Sequence, residues 1–379
     1  MEFLSTLLFS AGDLAVGTLL PFFCVLIIVV FVHEMGHYLV GRWCGIGVKA
    51  FAIGFGPELF GWTDSQGTRW KFCAIPLGGY VKFVGDVGAS SAPDSEELLA
   101  LAPEERKSAF QVQALWKKSA TVLAGPVANF ILAFFILTAF FAVMGKQFIA
   151  PIIASVQENT PAAAAGLQRG DRFLKVGGRD VQTFVDIQNV VNARAGDPVE
   201  FVIMRQDQTI TLTMTPELSE QTDGLGNKIK VGIIGIAADR STANFEVVKL
   251  NLAQSAGAAY EEVTRTIERT LFFLKRFVAG REDRCQLGGP VKIAKMTGQA
   301  ADLGPAWLIS LTAFLSIGIG IMNLLPIPPL DGGHLMLYGV EAVTRRPLHA
   351  AVQEWIYKIG FFAVMGFIGF VLWNDLFAC

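Results

Sequence analysis

Charge is scarce in this sequence. Asp, Glu, Lys and Arg make up 17% of its 379 residues against 52% hydrophobic ones, and its mean hydropathy is +0.47. That balance excludes an ordinary soluble protein and fits a membrane protein carrying a soluble insert. A net charge of −2 offers no basic surface for nucleic acid, so nucleic-acid partners are excluded. The five cysteines (Cys24, Cys44, Cys73, Cys285 and Cys379) contain no C-x-x-C pair; they read as free thiols, with no disulfide framework. No Lys or Arg precedes Arg42, and no A-x-A cleavage site closes the first apolar run at the N-terminus. A cleaved signal peptide needs both, so the first run is expected to be an anchor. Histidine is scarce too: His33, His37, His334 and His349 are all there are.

Two of those four sit together in Phe31-Val32-His33-Glu34-Met35-Gly36-His37-Tyr38, at the end of the uncharged stretch Leu14 to Val32. That stretch is long enough to cross a bilayer as a helix. Ionisable residues in such a span are costly unless they have a function. At a spacing of four residues, His33 and His37 project from one helix face and can hold one metal ion, with Glu34 beside the first ligand. This is the zinc-hydrolase pattern, in which the metal lowers the pKa of water and a carboxylate takes the proton. A catalytic zinc takes three protein ligands and keeps one position open. The third must lie elsewhere, and two candidates follow Pro326-Ile327-Pro328-Pro329-Leu330, whose three prolines break the helix of the third span just before them: Asp331, a carboxylate donor suited to zinc, and His334. His349 lies in a basic loop and reads as solvated.

Charge-free runs predict four spans: Leu14 to Val40, Ser119 to Gly145, a third within Leu303 to Leu330, and Ile359 to Asn374 with its helix starting near Val352. Lys and Arg concentrate between spans one and two and at Arg345-Arg346. These basic loops are therefore expected in the cytoplasm, with both termini and residues 146 to 302 outside. In this topology His33, His37, Asn129 and Asp331 fall at one membrane depth, near the cytoplasmic face. Asn129, after Gly125-Pro126, reads either as helix-packing glue or as a donor facing the metal.

Residues 45 to 85 alternate glycines with aromatics and predict short strands joined by tight turns. They form either a plain cytoplasmic hairpin or a sheet that takes an extended substrate as an extra strand. Residues 86 to 107 read as a solvated linker. The outer segment predicts a small β/α domain. Its elements are a strand at Pro151 to Val156, a short helix after Pro161 and a strand at Arg172 to Val176. A Gly177-Gly178 turn follows, then a helix with Phe184, Ile187 and Val191 on one face, and strands at Val199 to Arg205 and Thr209 to Met214. Gly232 to Gly235 is expected to add a last strand. From Ala243 to Arg284 the spacing of Val247, Leu250, Val263, Ile267, Leu271, Leu274 and Phe277 predicts an amphipathic helix, with a further helical turn at Ala294 to Gln299.

With these stretches in view, the chain resembles the site-2 protease family of intramembrane zinc metalloproteases, of the bacterial regulator-of-sigma-E type. The resemblance rests on His33-Glu34-Met35-Gly36-His37, Gly54-Phe55-Gly56-Pro57, Gly79-Tyr80-Val81-Lys82, Ala124-Gly125-Pro126-Val127-Ala128-Asn129 and Asn323 to Asp331-Gly332. Pro161-Ala162 through Gly166-Leu167, Gly170-Asp171 and Val176-Gly177-Gly178 resemble bacterial protease PDZ domains. One such domain is found where the enteric proteases carry two.

The implied fold is a polytopic α-helical membrane protein with four transmembrane helices, a membrane-associated β-hairpin region and an inserted extracytoplasmic PDZ domain. Its expected divisions are 1–44 (first helix with the H-E-M-G-H motif), 45–118 (β-loop and linker), 119–145 (second helix), 146–240 (PDZ), 241–306 (amphipathic segment), 307–343 (third helix with Asp331) and 344–379 (cytoplasmic loop and fourth helix). The resemblance implies one Zn2+ held by His33, His37 and Asp331, Glu34 as the catalytic base, and Asn129 and Asn323 near the substrate backbone. The implied partners are the inner-membrane bilayer and pre-trimmed single-pass membrane proteins such as anti-sigma factors. Two rival readings, a membrane-anchored PDZ adaptor with a structural zinc and a zinc transporter, account less well for Glu34 and for polar residues clustered at one depth.

Overall fold

A computed structural model describes residues 14–87, 92–93, 101–181, 183–192, 194–222, 228–238, 245–280, 288–346 and 349–378. Cys285, Cys379 and much of the expected linker at 86–107 lie outside them; Cys24, Cys44 and Cys73 are free thiols. The chain divides into two compact units, residues 1–140 with 256–379, and residues 141–255.

In the first unit four helices are long and apolar enough to cross a membrane, at Gly17–Trp43, Leu115–Met144, Pro305–Asn323 and Val352–Phe377. Helix α1, Leu20–Trp43, follows a π-helical turn at Leu14–Leu19 and carries His33, Glu34 and His37 on buried positions. After the short helix α2 at Pro103–Lys107 comes α3, Leu115–Met144, which runs unbroken through Pro126. A proline there leaves one carbonyl without its usual donor, which packing inside a bundle tolerates.

Between α1 and α2 lies the glycine–aromatic segment. It forms two long strands, β1 at Val48–Thr63 and β2 at Arg69–Phe83. Each doubles back, so Phe51 pairs with Val81 on one side and Trp70 on the other, while Trp62 also pairs with Trp70. The expected short strands are thus present as segments of two bulged ones. Gly54, Gly56 and Gly78 have φ of +86°, +87° and +110°, the left-handed region where glycine carries no steric cost. The inner half is anchored by Phe51, Ile53, Val81 and Phe83, which pack with Phe110 and Val122 against Phe31, Met35 and Tyr38 of α1. This packing holds the sheet beside the histidines. At the β1–β2 turn, the indole N–H of Trp70 donates to Asp64 at 3.0 Å and the Gln66 and Thr68 amides at 2.9 Å. These donors stabilise the carboxylate and lower the Asp64 pKa, the Trp70 bond most.

The second unit opens on β3, Lys146–Ile149, and β4, Ile153–Val156. A short helix α4 at Pro161–Ala164, strands β5 at Arg172–Val176 and β6 at Arg179–Asp180, and helix α5 at Phe184–Asn192 follow. Strands β7 at Val199–Arg205 and β8 at Gln208–Met214 complete a four-stranded sheet, in the order β8-β7-β5-β6. Phe184, Ile187 and Val191 turn into its core with Phe173, Phe201 and Ile203. Asp171 is buried and receives both Nε and Nη2 of Arg205, at 2.7 and 2.6 Å.

Several expectations need correction here. Gly232 to Gly235 is not one strand. It straddles β10, Lys228–Ile233, which pairs with β9 at Glu217–Thr222, and β11, Ile236–Ala238, with Gly235 at φ +80° as the break. The helix expected from Ala243 does not include Val247. Phe245–Val248 is a strand, β12, paired with β3, and helix α6 begins at Leu252 and ends at Val278. Val247 and Leu250 fit a helical period by spacing alone, but β3 offers a long-range partner that local periodicity does not register. The turn at Ala294 is a full helix, α7 at Pro290–Asp302.

The proline break expected before Asp331 is present, and it divides residues 307–343 between two helices. Helix α8, Pro305–Asn323, stops, and α9 starts at Asp331 and runs to Thr344. Prolines 326, 328 and 329 supply no N–H and block continuation. The connecting loop is clamped: a Cβ on Gly332 would strike the Leu324 carbonyl, and one on Gly360 of helix α10, Ala350–Trp373, would strike that of Pro328.

Candidate metal centre and active site

Helix α1 brings His33 and His37 one turn apart, and the loop after α8 delivers Asp331 as the first residue of α9. The two Nε2 atoms lie 3.2 Å apart. Asp331 Oδ2 is 3.1 Å from His33 Nε2 and 3.4 Å from His37 Nε2. A tetrahedral zinc with bonds of about 2.0–2.2 Å separates neighbouring donors by roughly 3.3–3.6 Å, so this triangle is close to the size that zinc spans. His33, His37 and Asp331 form the one such donor cluster among the described residues.

With both imidazoles neutral, the hydrogen bonding around the triangle suits a cation at its centre. His37 Nδ1 is 2.9 Å from the Thr121 carbonyl, which can only accept. The proton is therefore on Nδ1, and the Nε2 lone pair faces the triangle. Asp331 Oδ2 is buried with no hydrogen-bond partner. On the other histidine, the Asn129 side chain approaches His33 Nδ1 at 3.2 Å through the atom assigned as nitrogen, while its Oδ1 is buried without a partner. Amide oxygen and nitrogen are interchangeable by position. The exchanged orientation lets Oδ1 accept from His33 Nδ1–H and turns the second Nε2 lone pair inward as well. Three acceptors then converge with no proton among them, an arrangement a bound Zn2+ satisfies.

The centre opens on a cavity of about 340 Å³ lined by Glu34, Gly79, Tyr80, Asn323, Asp331 and His334, among others. Glu34 is buried, and the Val81 backbone hydrogen-bonds it. A Cβ on Gly79 would come within 3.1 Å of Glu34 Cγ and 2.8 Å of the Ala52 carbonyl, so the strand's close approach to the carboxylate needs glycine there. Asn323 Nδ2 lies 3.4 Å from His33 Nε2, at the rim of the triangle. Asn129 is fully buried and touches His33; its contacts are with the histidine and, through its backbone carbonyl, with the Ser316 hydroxyl at 2.9 Å. Of the two candidates for third donor, the structure brings Asp331 into the triangle. It places His334 against Tyr357. His349 is exposed.

Two contributors had no side-chain signal of their own. Thr121 acts through its carbonyl. Gly125 acts by lacking a Cβ, which would strike the His37 ring and lie 2.9 Å from His33 Cε1. The Gly125→Ala protein is therefore expected to lose zinc and activity together, by about 10-fold or more, since a displaced imidazole weakens the site at least as much as a lost outer-shell bond. Metal analysis alongside a cleavage assay checks this; wild-type values for both would show that the imidazoles have room to move.

The profile of peptidase family M50 matches residues 21–367. The chain belongs to this family. A Mesorhizobium japonicum protein bearing a zinc metalloprotease name is 57% identical over 364 residues, 96% of this chain and 99% of its own length. A Brucella suis protein with the same kind of name is 54% identical over 373 residues, 98% of each chain. Metalloprotease MmpA of Caulobacter vibrioides is 38% identical over 374 residues, 93% of each. The M50 member is thus an enzyme, a zinc metalloprotease, and the adaptor and transporter readings fall. Among solved structures, the PDZ domain of an SdrC-like protein from Listeria monocytogenes matches at 21% identity and a TM-score of 0.19, over 24% of this chain and 88% of that one, a score too low to establish a shared fold.

Proposed function

We propose that this metalloprotease cuts peptide bonds within the membrane-spanning segments of single-pass proteins already trimmed by another protease, anti-sigma factors among them. The observation that carries the reading is the donor triangle with its adjacent carboxylate, whose two histidines and Glu34 lie on a helix long enough to cross a bilayer. His33, His37 and Asp331 would hold zinc, which when bound supplies Lewis acidity, polarising a carbonyl and lowering the pKa of water. Glu34 takes the proton of the attacking water and hands it to the leaving nitrogen. Asn323, at the rim, is placed to hold substrate backbone, whereas Asn129 orients His33. The contact of Asn129 with the imidazole supports this positioning role over the substrate contact expected from the resemblance.

The Gly78 to Phe83 segment lines the cavity and, among the described residues, pairs with β1 on one side only, which leaves an edge for an extended substrate. A transmembrane helix must unwind to present its peptide bonds, and strand addition compensates the hydrogen bonds it gives up. Residues 146–240 we read as an extracytoplasmic PDZ domain that refuses substrates with bulky ectodomains. The order of strand, short helix, hairpin, helix and paired strands in the second unit supports that reading.

The test is cleavage of paired single-pass substrates, one with a folded ectodomain and one without, by protein reconstituted in vesicles. The short substrate is expected to be cut within its span, at sites located by mass spectrometry, and a chelator to stop it. Removing the PDZ domain is expected to admit the long substrate. Cuts confined to soluble segments would overturn the intramembrane reading, and a long substrate still refused after the deletion would overturn the gate.

A further inference from the structure

His334 is the histidine that the metal centre does not use. It is 5% exposed and lines the cavity together with Glu34 and Asp331, one helical turn beyond Asp331 and on the same face of α9. Its ring sits between two tyrosines, with centroids 5.2 Å from Tyr357 and 6.3 Å from Tyr338. His334 Nδ1 and the Tyr357 hydroxyl are 2.9 Å apart. Among the described residues that hydroxyl has no other hydrogen-bond partner, and His334 Nε2 has none at all. A half-buried phenol places its hydrogen on an acceptor. Nδ1 is the acceptor within reach, so the imidazole proton sits on Nε2. An N–H donor without a partner, on a ring nine-tenths buried, then belongs to the wall of the active-site cavity.

We propose that His334 is a further catalytic residue. Its Nε2–H donates to the carbonyl oxygen of the peptide bond under attack, and Tyr357 is the positioning residue that fixes the donating tautomer. A donor in the cavity wall with no protein partner is free to stabilise a negative oxygen that develops opposite it. The donor is neutral and held from two sides, so it needs no rearrangement as charge forms. The proposal rests on the reading of Glu34 as the base.

The experiment compares the full-length proteins wild type, Glu34→Gln, His334→Ala, His334→Gln and Tyr357→Phe on a single-pass substrate, measuring zinc content, kcat and KM. His334→Ala is expected to keep its zinc and its KM and to lose about 10²-fold in kcat, as removal of one oxyanion donor does. His334→Gln, whose amide can donate from nearly the same place, is expected to recover part of that loss. Tyr357→Phe, which keeps the ring packing and removes only the hydroxyl, is expected to lose about 10-fold in kcat. Loss of zinc in His334→Gln, an effect on KM alone, or a wild-type kcat in either His334→Gln with His334→Ala or Tyr357→Phe overturns the proposal. Should Glu34→Gln remain active, the underlying assignment of the base fails, and that outcome is distinct from an active His334→Ala beside an inactive Glu34→Gln.

Discussion

Replacing Glu34 by glutamine is expected to leave zinc content and folding unchanged while cleavage falls by about 10²–10⁴-fold, the range that general acid–base catalysis contributes. Glutamine keeps the size and hydrogen-bonding reach of the side chain, and Glu34 lies outside the donor triangle, so the metal has no reason to leave. What is lost is the capacity to take a proton, since an amide cannot do so at neutral pH. Gly79 and the Val81 backbone, which pack against this side chain, meet the same shape in the variant. The measurement is zinc per chain by elemental analysis beside the rate on a single-pass substrate. Activity within about tenfold of wild type would mean that another group is the base.

Removing the Asp331 carboxylate is expected to act on a different quantity, the metal itself. In Asp331→Ala two imidazoles remain and the triangle loses its only charged donor. Zinc affinity should fall by more than the roughly 10–100-fold that loss of an outer-shell partner costs, and activity should fall with it. His334→Ala provides the contrast, because His334 is engaged with Tyr357 and stands outside the triangle; its zinc content should match wild type. Titration with a competing chelator separates the two. If Asp331→Ala binds zinc like wild type while His334→Ala loses it, the third ligand is His334, and both the metal site and the oxyanion donor proposed here must be reassigned.

How far the sequence alone reaches depends on whether a feature is local. The pairing of His33 with His37 was legible because a helix has a fixed period, and the helix was legible because an uncharged run of that length has few other stable states beside a bilayer. The break before Asp331 was legible because proline carries no N–H. The strands of the second unit, from Arg172 to Met214, follow their alternation and their glycine turns closely. The misreadings arose where partners are distant. Phe245–Val248 has a helical spacing but pairs with Lys146–Ile149 almost a hundred residues earlier.

The choice between Asp331 and His334 was of the same kind. Both follow the same proline-rich break, and each is a competent zinc donor by chemistry. Only the packing of the loop against α9 and α10, with no room for a Cβ at Gly332 or Gly360, turns Asp331 into the triangle and leaves His334 between its tyrosines. Asn129 and Asn323 reach His33 across sequence separations of 96 and 290 residues. The sequence by itself determined which chemistry this protein carries, because residue types and their spacing on one helix are local properties. Tertiary structure decided which atoms perform it, because a ligand's third partner, the acceptor that sets a tautomer and the glycine that makes room for an imidazole are supplied by other segments of the chain.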